Sequence, residues 1–193
     1  MPWEKQFDVE DALERAQNTF WAEGYEATSM DCLLKRMGIN RGSFYDTFGS
    51  KRDVLIQALH RYYWRDRVPF FRAITQGKRP RKAIAAVFQS MIDSSAGLQA
   101  RHGCFLVNSA LEIAPKDQEV ARIVRHAFSD IEGFFVELVR QGQKAGEIRK
   151  SSNAAEMGRN LMNHLLGLMV LVRSRAPRPV LESVVKQAGR LLA

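Results

Sequence analysis

Cysteine is scarce in this chain. Cys32 and Cys104 lie far apart, which excludes a disulfide framework or a cysteine-based zinc site. Four histidines are scattered without ligand spacing, so no metal or other cofactor is expected. No nucleophile–base constellation stands out, and the protein is not expected to be an enzyme. Long hydrophobic runs are missing too. The longest, Leu165 to Val172, is too short to span a bilayer and follows directly on Asn163 and His164. The first eight residues, Met-Pro-Trp-Glu-Lys-Gln-Phe-Asp, contain no apolar core of a secretory signal. Alternating strand patterns and internal repeats are absent. These absences lead to the expectation of an all-α, soluble, cytoplasmic protein with no membrane partner.

Charge is unevenly spread. The net charge is +8, yet residues 1–66 hold nine Lys/Arg against eleven Asp/Glu. Global basicity is therefore no argument for nucleic acid. The local balance is more telling. Between positions 35 and 52, Lys35, Arg36, Arg41, Lys51 and Arg52 stand against Asp46 alone. Acidic residues gather in the first helical segment, at Asp8, Glu10, Asp11 and Glu14. That face should point away from any phosphate.

The segment Thr28 to Lys51 spells two short helices around a tight turn. Thr28 and Asp31 form a capping-box pattern. Met30, Leu33, Leu34 and Met37 then repeat at helical spacing as one apolar stripe. Gly38 suits a left-handed helix end, Ile39 plugs the turn, and Asn40 can cap the second helix. Phe44 and Phe48 anchor that helix inward. Arg41, Ser43, Tyr45 and Thr47 are left off the anchored stripe, and Gly42 lets backbone come close to a partner. This is helix-turn-helix logic, in which the second helix enters the DNA major groove.

The run Phe20, Gly24-Tyr25, Thr28-Ser29, Met37-Gly38-Ile39-Asn40-Arg41-Gly42-Ser43-Phe44-Tyr45, Phe48 and Ser50-Lys51 resembles the N-terminal domain of the TetR family of transcriptional repressors. One departure is Asp46-Thr47, where family members often carry histidine or tyrosine. The resemblance implies contacts with double-stranded operator DNA. Thr28 and Lys51 lie at helix N-termini that would take phosphates. Tyr45 would meet a phosphate, sugar or thymine methyl, and Arg41 is the candidate for bidentate guanine reading. Asn40, Gly42, Ser43 and Thr47 complete the expected DNA-binding set. Asp46 would accept from a cytosine amino group or repel wrong registers.

Caps and breakers divide the chain into about nine helices. The fourth opens at Lys51 and should break near Pro69. Later ones start at Pro80, Cys104, Asp117 and Asn153, and the last comes after Pro177-Arg178-Pro179. We expect a DNA-binding domain over 1–50 and a ligand-binding and dimerisation domain over 51–193. The hydrophobic fraction of 46% is enough for both cores.

Gly103-Cys104 and the residues after it resemble the sixth helix of one TetR subgroup, where a Gly-Cys start faces the ligand cavity. Cys104, Asn108 and Leu111 share one helical face. With Phe88, Met91, Phe128, Ile131, Met162 and Leu165 they form the expected lining for a small, weakly polar effector. Three alternatives stay open at Cys104: cavity lining, plain core packing, and a reactive thiol tuned by a helix N-terminus and His102. The helix around Leu161, Leu168 and Val172 is apolar on more than one side, which calls for a second partner. Leu181 and Val185 give the last helix a matching stripe, and the resemblance implies a homodimer through these two helices. The competing readings are a helical protein-interaction module and an electrophile or redox sensor acting through Cys104.

Overall fold

The computed structural model describes residues 7–95, 97 and 102–192. Every regular element among them is helical. Helix α1 (Val9–Glu23) starts where Asp8 accepts the backbone N–H groups of Glu10 and Asp11. Helix α2 (Met30–Met37) is capped by Ser29, and α3 (Arg41–Phe48) by Asn40. Gly38 joins them at φ +74°, a conformation that costs glycine little. Buried Leu33, Leu34, Met37, Phe44 and Phe48 lock the pair onto α1 and the start of α4.

The next element departs from expectation. Lys51–Arg61, a π-helical stretch Tyr62–Arg67 and Val68–Thr75 run on without interruption as one rod, α4. Pro69 does not end it. Proline cannot donate to the carbonyl four residues back, and its ring crowds that carbonyl. The widened turn relieves both problems: the Val68 N–H reaches Tyr63, five residues back. A π turn of this kind often marks a functional segment. The rod's N-terminus carries a full capping box between Ser50 and Asp53.

The remaining helices are α5 (Pro80–Ser94), α6 (Phe105–Glu112), α7 (Gln118–Lys144), α8 (Ala154–Arg173) and α9 (Arg178–Leu191). Asp117 caps α7 and Asn153 caps α8, as the sequence suggests. Helices α7 and α8 form the most extensive pairing. Gly158 is what lets them close: a Cβ there would meet Val136 Cγ2 at 2.3 Å. The apolar core runs unbroken from Ala12 to Leu192. Helix α4 lies at its centre, packed on α1, α5 and α7. No described helix is long and apolar enough to cross a membrane.

Candidate functional site

Helix α3 owes its position to two rings. Phe44 and Phe48 are 0% and 4% exposed, and burying such side chains contributes about 1.5–3 kcal/mol each. The opposite side of α3 is left in solvent. Arg41, Gly42, Tyr45 and Asp46 are exposed, and Ser43 and Thr47 are half-buried. The Tyr45 ring stands edge-on against Phe44, with centroids 5.4 Å apart, so it projects from a rigid base. Arg41 is held by Asp31 of α2 at 2.7 Å. Exposed pairs of this kind are weak, about 0–1 kcal/mol, and exchange readily for a stronger partner. Asn40 spends its side-chain oxygen on the Ser43 N–H at 2.8 Å. Only its amide nitrogen is left for another contact.

Two expectations in this region need correction. Thr28 is fully buried, and its hydroxyl donates to the Gly24 carbonyl at 2.6 Å. It is neither the cap of α2 nor a surface group. Ser29, one residue on, does the capping by accepting the Cys32 N–H. The Thr-Ser pair offered two capping hydroxyls, and the turn after α1 decides which of them points inward. Cys32 lies in the first turn of α2, with its thiol 3.5 Å from Glu23. Lys51 does sit in the first turn of α4, with its ammonium 4.3 Å from the centre of the Tyr25 ring. Partial desolvation lowers its pKa from the ordinary value, opposed by Glu26 and Glu112.

No local pattern in the chain signals how this unit is tied to the body. Glu112, at the end of α6, accepts the N–H groups of Tyr25 at 3.3 Å and Glu26 at 2.9 Å. Arg52 grips Asp117 with two hydrogen bonds, 2.5 and 2.9 Å, and reaches Glu119 at 3.1 Å. The Arg52 hydrogen bond, helped by the backbone N–H groups of α7, holds the Asp117 carboxyl down at about 2. Arg52 therefore serves the body rather than the local positive patch. The acidic face of α1 is also spent within the chain, with Glu10 and Glu14 both pairing with Arg61.

Inside the body, α4 to α8 leave a narrow apolar seam of about 30 Å³, bordered by Met91, Cys104, Phe128, Ile131, Met162 and Leu165. All six are among the expected lining residues. An outer chamber of about 460 Å³ shares Arg67, Met91 and Met169 with the seam and adds Trp21 and Phe70. The Tyr62 hydroxyl lies 3.7 Å from the Cys104 sulfur. Complete burial, with the neighbouring thiol, raises the Tyr62 pKa well above its ordinary value. His102, one candidate for tuning the thiol, turns its ring towards Trp21, with centroids 6.0 Å apart.

Three expected lining residues lie elsewhere. Leu111 is 72% exposed, because α6 buries the stripe Phe105, Leu106 and Ser109, with Ile113 next to it, and turns the Leu111 side outward. Asn108 braces the preceding connector by donating to the His102 carbonyl at 2.8 Å. Phe88 stacks on Phe135 and borders a separate groove of about 350 Å³ between α5 and α9.

The expected dimer residues are corrected as well. Leu161, Leu168, Val172 and Leu181 are 0%, 0%, 8% and 3% exposed within a single chain. They belong to its own core, and Val185 is half-buried against it. Both helices are apolar over a wide arc, and sequence periodicity alone could not say which part of the arc meets the body. The outward apolar positions are Val170, 46% exposed, and Val180, 41% exposed. Leu166, Leu171 and Val184 on the same two helices are half-buried.

Against this geometry, residues 12–58 match the model of bacterial regulatory proteins of the tetR family. Residues 80–187 match the model of the tetracyclin repressor-like C-terminal domain. The chain belongs to the TetR family. It is 29% identical over 173 residues to the HTH-type transcriptional regulator YezE of Bacillus subtilis (strain 168), covering 89% of each chain. It is 25% identical over 189 residues to the HTH-type transcriptional repressor ComR of Escherichia coli (strain K12), covering 97% of this chain and 89% of ComR. A solved TetR family regulator, a cysteine variant of CifR in complex with 26-bp operator DNA, superposes with TM-score 0.86. It is 28% identical, with 97% of this chain and 98% of that chain covered. A TetR regulator from Cytophaga hutchinsonii, 20% identical with TM-score 0.87 and with 97% and 96% of the two chains covered, shares the fold. This TetR-family protein is thus a helix-turn-helix transcriptional regulator.

Proposed function

We propose that this regulator is a repressor. As a homodimer it binds a palindromic operator, one α3 helix in each of two successive major grooves. It releases that operator when a small molecule fills the cavity of the C-terminal part. The observation that carries the reading is α3 itself: Phe44 and Phe48 buried, with Arg41, Gly42 and Tyr45 projecting on the other side. Arg41 leaves Asp31 for a guanine edge, and Tyr45 with Lys51 takes backbone phosphates. The chain divides in function at residues 1–50 and 51–193. The outward faces of α8 and α9, around Val170 and Val180, form the dimer seam. The CifR complex with operator DNA supports the DNA partner by analogy.

Release has a physical route. Cys104 opens α6 at the seam, and Glu112 closes it against the α1–α2 turn. A ligand that forces the seam apart shifts α6 and strains the Glu112 contacts, so it binds the released conformation better. Footprinting on a palindrome from the protein's own promoter region tests the reading. Protection of two half-sites about one helical turn apart is expected, and absence of sequence-specific protection refutes it. A second reading is favoured by the contact of Tyr62 with Cys104: an electrophile captured at that thiol would expand the seam in the same way.

A further inference from the structure

Among the described residues, one cation borders the cavity without forming an ion pair. Arg67 ends the π turn of α4 and borders both the seam and the outer chamber. Its guanidinium lies over two rings, 4.9 Å from the centre of Tyr62 and 5.1 Å from that of Phe70. It makes no ion pair among the described residues, and its Nε is out of reach of solvent without a hydrogen-bond partner. The acids nearby are engaged elsewhere. Asp66 accepts from Gln17 and faces Arg61, and Asp93, on the chamber rim, accepts from Gln89. The walls beside Arg67 are rings and thioethers: Trp21, Phe70, Phe71, Met91 and Met169. Buried polar groups are normally satisfied, so a donor left bare beside a cavity is a place for an acceptor from outside.

The geometry points to a carboxylate ligand with an apolar, preferably aromatic, tail: its head on Arg67 and its body among the rings and methionines. A guanidinium takes a carboxylate through two parallel hydrogen bonds. One cation beside the acidic Asp93 matches a single negative charge better than a phosphate dianion. The outer chamber of about 460 Å³ is of ligand size. The seam is not, but three methionines, Met91, Met162 and Met169, border it, and unbranched thioethers repack easily. The proposal rests on the effector-cavity reading above and names the class of effector.

The test uses the full chain and two matched probes, 4-phenylbutyrate and its neutral amide 4-phenylbutanamide, titrated by calorimetry. Binding of the carboxylate at least about tenfold tighter than the amide is expected. Arg67→Gln should abolish that preference, and Arg67→Lys should keep part of it. Equal affinity in the wild type, no binding of either probe at millimolar concentration, or a preference that survives Arg67→Gln overturns the proposal. The wild-type arm stands even where a variant fails to fold. Operator release is read separately, by fluorescence anisotropy of labelled DNA. A carboxylate that binds through Arg67 without releasing DNA overturns the effector reading and leaves the site. Release by the amide alone overturns the carboxylate and leaves the effector reading.

Discussion

Single side chains divide cleanly between those that build the DNA-reading surface and those that use it. Arg41 belongs to the second group. Arg41→Ala should cost about 1–3 kcal/mol in operator binding and relax preference at one base per half-site. Anisotropy titrations against operators substituted at each position measure both effects, and wild-type affinity would remove Arg41 from direct readout. Thr28 belongs to the first group, against the expectation from sequence. Its buried hydroxyl holds the Gly24 carbonyl, so Thr28→Val should lower stability by about 1 kcal/mol in a urea titration. The salt dependence of DNA binding should not change, because no phosphate contact is lost. A reduced salt slope would restore Thr28 as a phosphate ligand. Cys104 and Cys32 are both half-buried, and they differ in their neighbours. Cys104 borders the seam beside Tyr62, whereas the Cys32 thiol lies 3.5 Å from the Glu23 carboxylate. If Cys104 is a sensing thiol, mass-spectrometric labelling with a small maleimide should modify it before Cys32. Labelling of Cys32 first would leave Cys104 as a packing residue.

Helices communicate here through contacts at their ends. Helix α6 touches the cavity at its start and the α1–α2 turn at its finish, and Arg52 ties α4 to the first turn of α7. The second tie should depend on pH in a defined direction. Asp117 titrates at about 2 in the folded chain, below the ordinary aspartate value of about 3.9 when unfolded. Its contribution is therefore complete above about pH 4 and is lost as the pH falls towards 2. The stability difference between wild type and Arg52→Gln should be constant from pH 7 to pH 5 and shrink below pH 4. Urea midpoints across that range measure it, and a difference that grows on acidification would contradict the assignment. The Arg52 side chain is 44% exposed to solvent, so the effect is expected to be small.

For the whole molecule, the question is which surface meets a second copy. Leu168 lies in the chain's own core and Val170 faces out. Leu168→Asp buries a charge without a partner and should unfold the chain, a loss of several kcal/mol. Val170→Asp should leave the helical circular dichroism intact and halve the mass seen by light scattering. A folded monomeric Leu168→Asp, or an unaffected Val170→Asp dimer, would return the seam to the residues that periodicity alone suggests.

What the sequence determined by itself was local. Asp8, Asn40, Ser50, Asp117 and Asn153 cap the helices they precede, because a cap is a bond between neighbours in the chain. The α2–α3 turn was legible for the same reason: Gly38, Phe44 and Phe48 act within a few residues of one another. Six of the expected cavity residues could be placed because large apolar side chains at helical spacing must face inward somewhere. The tertiary structure decided everything that depends on which inward face meets which neighbour. It placed Leu161 and Leu168 in the core, turned Leu111 to solvent, carried α4 past Pro69 on a π turn, and joined Glu112 to a turn 86 residues away in the chain. Periodicity fixes that a helix has an apolar arc, but only packing fixes its direction. A hydrogen bond across such a separation leaves no pattern in the local sequence.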